Sequence, residues 1–288
     1  MRRAGAAAKW LARTLVIVLL VVAGSTFLIR FAPGYFSDAR EMDARYADTA
    51  RAEMSIEAAR SGSLPHLLFS EIGGWLRGDA GQSRQYGVPV LDLIRPRLRM
   101  TGSLLLRALL LAWMLAVCGA LVSSAGRSPS RLWQAPATLL MAIPAAAMAT
   151  ICLLADSGGP VLVLALLLAP RDFKFLHRTL RKAWLDPHLL QARAAGIGTA
   201  RLLWAHLLPS VGPQIGALAS LSIATELSAL VPVEVIFNVQ GLGQLAWNAA
   251  LNRDLPLLLA VTLIMVVAVI ASGTAVVRAD RPGEWNSI

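Results

Sequence analysis

The chain has 288 residues, 56% of them hydrophobic and 15% charged, with a mean hydropathy of +0.60. Soluble domains carry about 25% charged residues, so this composition excludes an ordinary soluble domain and points to an integral membrane protein. The formal net charge is +10, but the basic residues flank apolar runs instead of forming one patch, which is how topology signals are placed and argues against a nucleic-acid surface.

A crossing helix needs about 20 mostly apolar residues. Residues 14–31, TLVIVLLVVAGSTFLIRF, supply the first, behind Arg2, Arg3, Lys9 and Arg13. A secretory signal has the same layout, with AGS at 23–25 as a cleavage site. The apolar run resumes at Phe27, Leu28 and Ile29, which favours an uncleaved span. Residues 32–100 then form an extracytoplasmic segment, with a mostly polar surface helix expected over 38–60. Long segments translocate largely regardless of charge, so its arginines do not disturb the topology.

Three clear spans follow the same logic, at 104–122, 211–231 and 255–277. Arg107 sits near one end of the first and can snorkel to the interface. A further span, 132–154, contains Pro136 and Pro144 and is expected to be kinked. The run 160–169 is too short to cross alone, and Pro170, Arg171 and Asp172 follow at once. Charge parity nevertheless makes it the start of a crossing over about 160–178. The positive-inside rule puts the N-terminus in the cytoplasm. Without this crossing, the loop holding Arg171, Lys174, Arg178, Arg181, Lys182, Arg193 and Arg201 would lie outside. The expectation is an all-α polytopic membrane protein with six spans and both termini cytoplasmic. Residues 1–31 are the N-terminus and first span, 32–100 the external segment and 101–288 the core transmembrane domain.

The loop 186–209 carries the strongest local pattern. Asp186-Pro187 suits a helix start. HLLQARAA at 188–195 consists mostly of good helix formers, and Gly196 stops the helix. A second helix is predicted over 199–208, ending at Pro209. By pattern alone this is a connecting loop, an interfacial hairpin lying on lipid, or a short helix laid into a groove on a cytoplasmic partner.

Chemistry-bearing constellations are sparse. Cys118 and Cys152 fall inside apolar runs and read as packing residues. His66, His177, His188 and His206 are scattered without metal-ligand spacing. The three lysines, Lys9, Lys174 and Lys182, follow no glycine-rich phosphate loop. No catalytic or metal residue is therefore assigned, and the chain is not expected to be an ATPase. An intramembrane enzyme would need paired catalytic groups at one depth. A stand-alone secondary transporter would often show an inverted repeat, and no convincing internal repeat is visible.

ARAAG at 192–196, followed by HLLP at 206–209, resembles the coupling motif of ABC importer permeases. The form is close to the dipeptide, oligopeptide and nickel branch, whose loop reads near ARAKG; Ala195 stands where that lysine is usual. RFAPG at 30–34, LRGDAGQS at 76–83, GVPVLDLIRPRL at 87–98 and NRDLP at 252–256 are similar to further family segments, in the family's order. VEVIFNVQGLGQL at 233–245 is similar to the family's VE-x-x-F…PGLG, with Gln240 replacing proline. The connection at 155–159 is shorter than the family's.

The resemblance implies a six-helix ABC importer transmembrane domain with a cytoplasmic coupling helix. Ala192, Arg193, Ala194, Gly196, His206 and Pro209 would couple it to ATP-binding subunits. Those subunits would use ATP and Mg, and this chain would bind no cofactor. Arg193 would make a polar contact there, or face solvent or lipid phosphate. A second homologous permease, an extracytoplasmic substrate-binding protein and membrane lipid are the other implied partners, in the bacterial cytoplasmic (inner) membrane. The solute would be a peptide or a related small solute; a stand-alone transporter and a degenerate copy are the alternatives.

Two acids need separate comment. Glu234 matches a family position at the external end and is expected to be structural. Glu226 lies within the span 211–231, where a charge costs about 2.5–3.5 kcal/mol on insertion scales and usually faces a cavity or partner. It is either an acid on the translocation path that touches a cationic group of the solute, or a neutral or interfacial Glu packed against the partner permease.

Overall fold

In the computed structural model, residues 80–125, 130–252 and 254–279 are described, with Thr14, Val16, Ile17, Leu20, Gly24 and Gly74. Those first five positions are helical; the rest of the expected first span and the surface helix at 38–60 lie outside the described residues. The described chain is helical, with one isolated bridge, Gln82 to Pro89. Its helices are α1 (Val90–Ala125), α2 (Ser130–Met141), α3 (Ala145–Leu154), α4 (Pro160–Trp184), α5 (Pro187–Ala194), α6 (Thr199–Leu202), α7 (Leu208–Ile236), α8 (Leu242–Leu251) and α9 (Leu255–Ala279). Among the described residues, three stretches are long and apolar enough to cross a membrane, Val90–Leu121, Leu203–Ile236 and Leu255–Gly273, or four if the bent pair α2 and α3 counts as one; α4 is not one of them.

The expected kink in 132–154 is a break. Ala135–Met141 and Ala145–Leu154 meet at 101°. Pro144 takes the N-cap of α3 with extended backbone (ψ 149°), which is where a residue that cannot donate and resists the middle of a helix is tolerated. By contrast, α4 runs unbroken through Pro170 to Trp184. Its 25 residues span about 37 Å at 1.5 Å per residue.

The predicted end of the second loop helix at Pro209 is not what forms. Thr199 to Ile236 is one helical run: α6 passes into a π-helical turn, Leu203–Leu207, and then into α7, with Pro209 in the first turn of α7. Proline removes one i→i−4 hydrogen bond and crowds the preceding turn. A wider i→i+5 turn just before it absorbs that conflict without ending the helix.

The chain divides into two compact units, Met1–Leu98 with Leu245–Val267 and Arg99–Gln244 with Ala268–Ile288. In the second unit, α4 packs against α2, α3 and α7. Ala108, Ala112, Ala116 and Ala120 form a fully buried stripe along α1. Two clusters show what it meets: Ala112 with Ala165, Leu168 and Ala169, and Ala116 and Ala120 with Phe173, Leu176 and Leu218. Small residues let helix backbones approach closely in a bilayer. At Gly119 a Cβ would come within 3.1 Å of the Phe173 ring. The opposite face of α1 exposes Leu106, Leu110, Met114 and Leu121, the apolar surface expected of a lipid-facing helix.

Candidate functional site

The hairpin at 186–209 is built by local rules. Asp186 occupies the N-cap of α5 with Pro187 at the first helical position, but the Asp186 side chain makes no capping hydrogen bond; its backbone carbonyl accepts from Leu189 and Leu190 N–H instead. At the other end Gly196 has φ +77°. Ile197 N–H donates to Ala192 O at 3.2 Å and Gly196 N–H to Arg193 O at 3.0 Å, the paired 6→1 and 5→2 bonds of a Schellman ending. The hairpin is fixed from below by Ala183, Leu189, Leu202, Leu207 and Val211, with Ala192 and Ile197 packed against them.

The residues expected to couple to a partner are only partly brought together. Ala192 is half-buried in that cluster, while Arg193, Ala194 and Gly196 are exposed. Arg193 stacks over the Trp184 ring, its Cζ 5.6 Å from the centroid, so its guanidinium already has a face to sit on within the chain. His206 lies half-buried in the π-helical turn, and Pro209 is exposed one turn later. Sequence reading missed the apolar surface around them: Leu185, Leu190, Trp204 and Leu208 are all exposed, Trp204 by 73%.

Glu226 is 1% exposed and is buried by its own chain. One turn before it on α7, Ser222 enters a polar network between α4 and α7. Arg171 donates from Nε (3.2 Å) and Nη2 (3.0 Å) to Asp172 Oδ1. Arg171 Nη2 also donates to Ser222 Oγ at 3.1 Å, and Nη1 donates to Thr225 Oγ1. The Ser222 hydroxyl lies 2.8 Å from Asp172 Oδ2 and 2.9 Å from Leu218 O, and gives its hydrogen to one or the other. Glu226 Oε1 is buried with no hydrogen-bond partner. By sequence, Arg171 counts among the basic residues of the loop after 160–169, and Asp172 is part of the charged edge of that apolar run. Their partners lie 50 to 54 residues away, beyond any local pattern.

Glu234 is structural, as its position suggested. Fully buried, it accepts from Thr101 Oγ1 at 2.8 Å, Gly243 N–H at 2.7 Å and Gln244 N–H at 3.1 Å. Thr101 Oγ1 in turn accepts from Leu242 N–H at 2.8 Å. The carboxylate therefore satisfies the free amides at the start of α8. The glycines make room for it: a Cβ on Gly241 would overlap the Glu234 carboxylate, and one on Gly243 would lie 2.9 Å from Val231 Cα.

Within the first unit, Asp254 plays a comparable part. It is fully buried, caps α9 through Leu257 N–H at 3.3 Å, and accepts from Ser83 Oγ and from Gln85 N–H at 3.1 Å. Two segments that resembled family motifs separately, GQS with GVPV and NRDLP, are thus one clasp. Gly81 (φ +74°) and Gly87 (φ +65°) form the turn it holds.

A family model described as binding-protein-dependent transport system inner membrane component matches residues 108–281, more than half of the chain. The metal-staphylopine import system permease protein CntB of Staphylococcus aureus is 24% identical over 280 residues, covering 89% of this chain and 90% of the relative. The oligopeptide transport system permease protein AppB of Bacillus subtilis is 29% identical over 230 residues, 69% of this chain and 72% of the relative. The glutathione transport system permease protein GsiC of Pectobacterium atrosepticum is 24% identical over 270 residues, 87% of each chain.

Proposed function

We propose the following role for this chain, which belongs to the family of binding-protein-dependent transport system inner membrane components: it forms half of the translocation path of an ATP-driven ABC importer and passes a peptide or a related small solute across the bacterial inner membrane. The observation that carries this reading is the hairpin α5–Gly196–α6. It is a short helix with a Schellman ending and exposed leucines, packed onto the ends of α4 and α7. Such a helix moves as one body with the two long helices beneath it.

In this account the chain binds no nucleotide. ATP and Mg act in separate subunits whose grooves take Ala194, Gly196 and the neighbouring Leu190. Ala192 and the stacked Arg193 hold the shape of the helix, and His206 and Pro209 mark the joint where α6 enters α7. Closure of the ATP-binding subunits shifts the bundle between inward-open and outward-open states, by as much as those subunits bind one state better than the other. A second homologous permease completes the path, with six spans in each and both termini in the cytoplasm. A substrate-binding protein docks on the outer side, against 32–100 and 232–254. A peptide-like solute agrees with the oligopeptide and glutathione in two of these relatives' names.

The test is a mild-detergent pull-down of the tagged chain from its native membrane, beside the Gly196→Asp variant. ATP-binding subunits and a second permease should come with the wild type. The ATP-binding subunits should be lost from the variant, because a side chain at φ +77° unseats the turn and adds a charge at the contact. A chain that comes down alone refutes the importer reading.

A further inference from the structure

Asp172 and Glu226 are both essentially buried, at 0% and 1% exposure, and Glu226 lies one turn along α7 from Ser222 of the network between α4 and α7. The cation of that network is Arg171, whose Nε, Nη1 and Nη2 are all engaged by Asp172, Ser222 and Thr225. No second cation reaches it from the described neighbours: Lys174 gives its ammonium to Thr138 Oγ1 at 2.5 Å, and α3, which also packs on α7, has no charged side chain. Glu226 follows Ser222 by four residues, on the same face of α7, and its Oε1 is left without a hydrogen-bond donor. A buried carboxylate with no counter-charge and no donor is a costly arrangement, and within a membrane such groups mark the path of a charge.

The depth agrees. On the topology proposed above, with Pro160 and Ile236 at the outer surface, Arg171 lies eleven residues into α4 and Glu226 ten residues before the end of α7, about 16 Å and 15 Å deep. That is the middle of a hydrocarbon core of about 30 Å, where transporters commonly place solute and ion sites. The donor set does not suit a metal, since no group of three His, Cys, Asp or Glu residues is brought together among the described residues.

We propose that Asp172, Ser222 and Glu226, held in place by Arg171, form a mid-membrane site for a single positive charge that carries a hydrogen-bond donor. The charge is the ammonium or guanidinium group of the solute, or a proton taken from water. Glu226 Oε1 accepts the donor, and the added charge balances the pair of acids. The site rests on the permease reading, because it is closed in this conformation and opens to water only as the bundle changes state.

The experiment uses the tagged importer in proteoliposomes, with Cys118→Ala and Cys152→Ala as background and Ala229→Cys as reporter. Ala229 is half-buried and lies three residues beyond Glu226 on its face. During ATP turnover, a cationic methanethiosulfonate should label this thiol about tenfold faster than an anionic one, the preference a carboxylate about 6 Å away creates at the dielectric of water, about 80. Adding Glu226→Gln should bring the ratio to near one, and Glu226→Asp, which keeps the charge, should preserve it. Excess arginine amide should slow labelling if the site takes a solute cation. If it takes a proton, arginine amide has no effect and the preference fades on acidification. Absence of labelling, or a preference that survives Glu226→Gln, overturns the proposal. Co-purification of ATP-binding subunits, scored on the same preparation, reports separately on the permease reading.

Discussion

The Glu234 cradle gives the sharpest stability prediction. Thr101→Val keeps the shape but removes a hydroxyl that donates to Glu234 and accepts from Leu242 N–H. One buried amide is left unpaired and one carboxylate bond is lost, which costs about 2–4 kcal/mol together. Glu234→Gln replaces one acceptor oxygen with an NH2 group, set against Thr101 on one side or against the amides of Gly243 and Gln244 on the other. Its cost is also about 2–4 kcal/mol. Because Thr101 and Glu234 share a hydrogen bond, the double variant should lose less than the sum, by about 1–2 kcal/mol. The assay is a titration of the purified chain from mild detergent into SDS, read by helical circular dichroism, for wild type, both single variants and the double variant. A coupling below about 0.5 kcal/mol, the range of independent sites, would refute the claim that these residues act as one cap.

Three further outcomes follow from the geometry. Gly241→Ala, whose Cβ overlaps the Glu234 carboxylate, should lower the thermal midpoint of the purified protein, whereas Gly102→Ala, with nothing within 4 Å, should not. Asp254→Asn should loosen the turn over 81–90, seen as faster hydrogen exchange at the Gln85 amide that Asp254 now holds, with little change at the Leu202 amide bonded to Gly198 O. Trp184→Ala should free Arg193 at a cost of about 0.5–1 kcal/mol and weaken retention of the ATP-binding subunits; retention equal to wild type would show that the stacked geometry is irrelevant to docking.

The sequence announced some of this and hid the rest, for physical reasons. The start at Asp186-Pro187 and the stop at Gly196 are local signals, and α5 obeys both. The continuation of the helix past Pro170 was expected from charge parity, a property of the whole chain, and α4 does run unbroken from Pro160 to Trp184. The 101° break at Ala142 to Pro144 was read only as a kink. The flanking residues are apolar on every side, so their pattern does not distinguish a bent span from two helices. The run through Pro209 depends on a π-helical turn that no residue type advertises. Thr101 and Glu234 are separated by 133 residues and Ser83 and Asp254 by 171; such pairs become visible when the fold closes. Glu226 stood out as a lone acid in an apolar run, while its companions Arg171 and Asp172 were masked by the basic stretch that follows them.

The central claim is that α5 and its turn meet an ATP-binding subunit, and it can be put to a contact measurement. A photo-reactive residue placed at Ala194, which is exposed on the last turn of α5, should crosslink in native membranes to an ATP-binding subunit identified by mass spectrometry, with a yield that changes on adding ATP. Crosslinks to lipid alone, or to no protein in either nucleotide condition, would contradict the account.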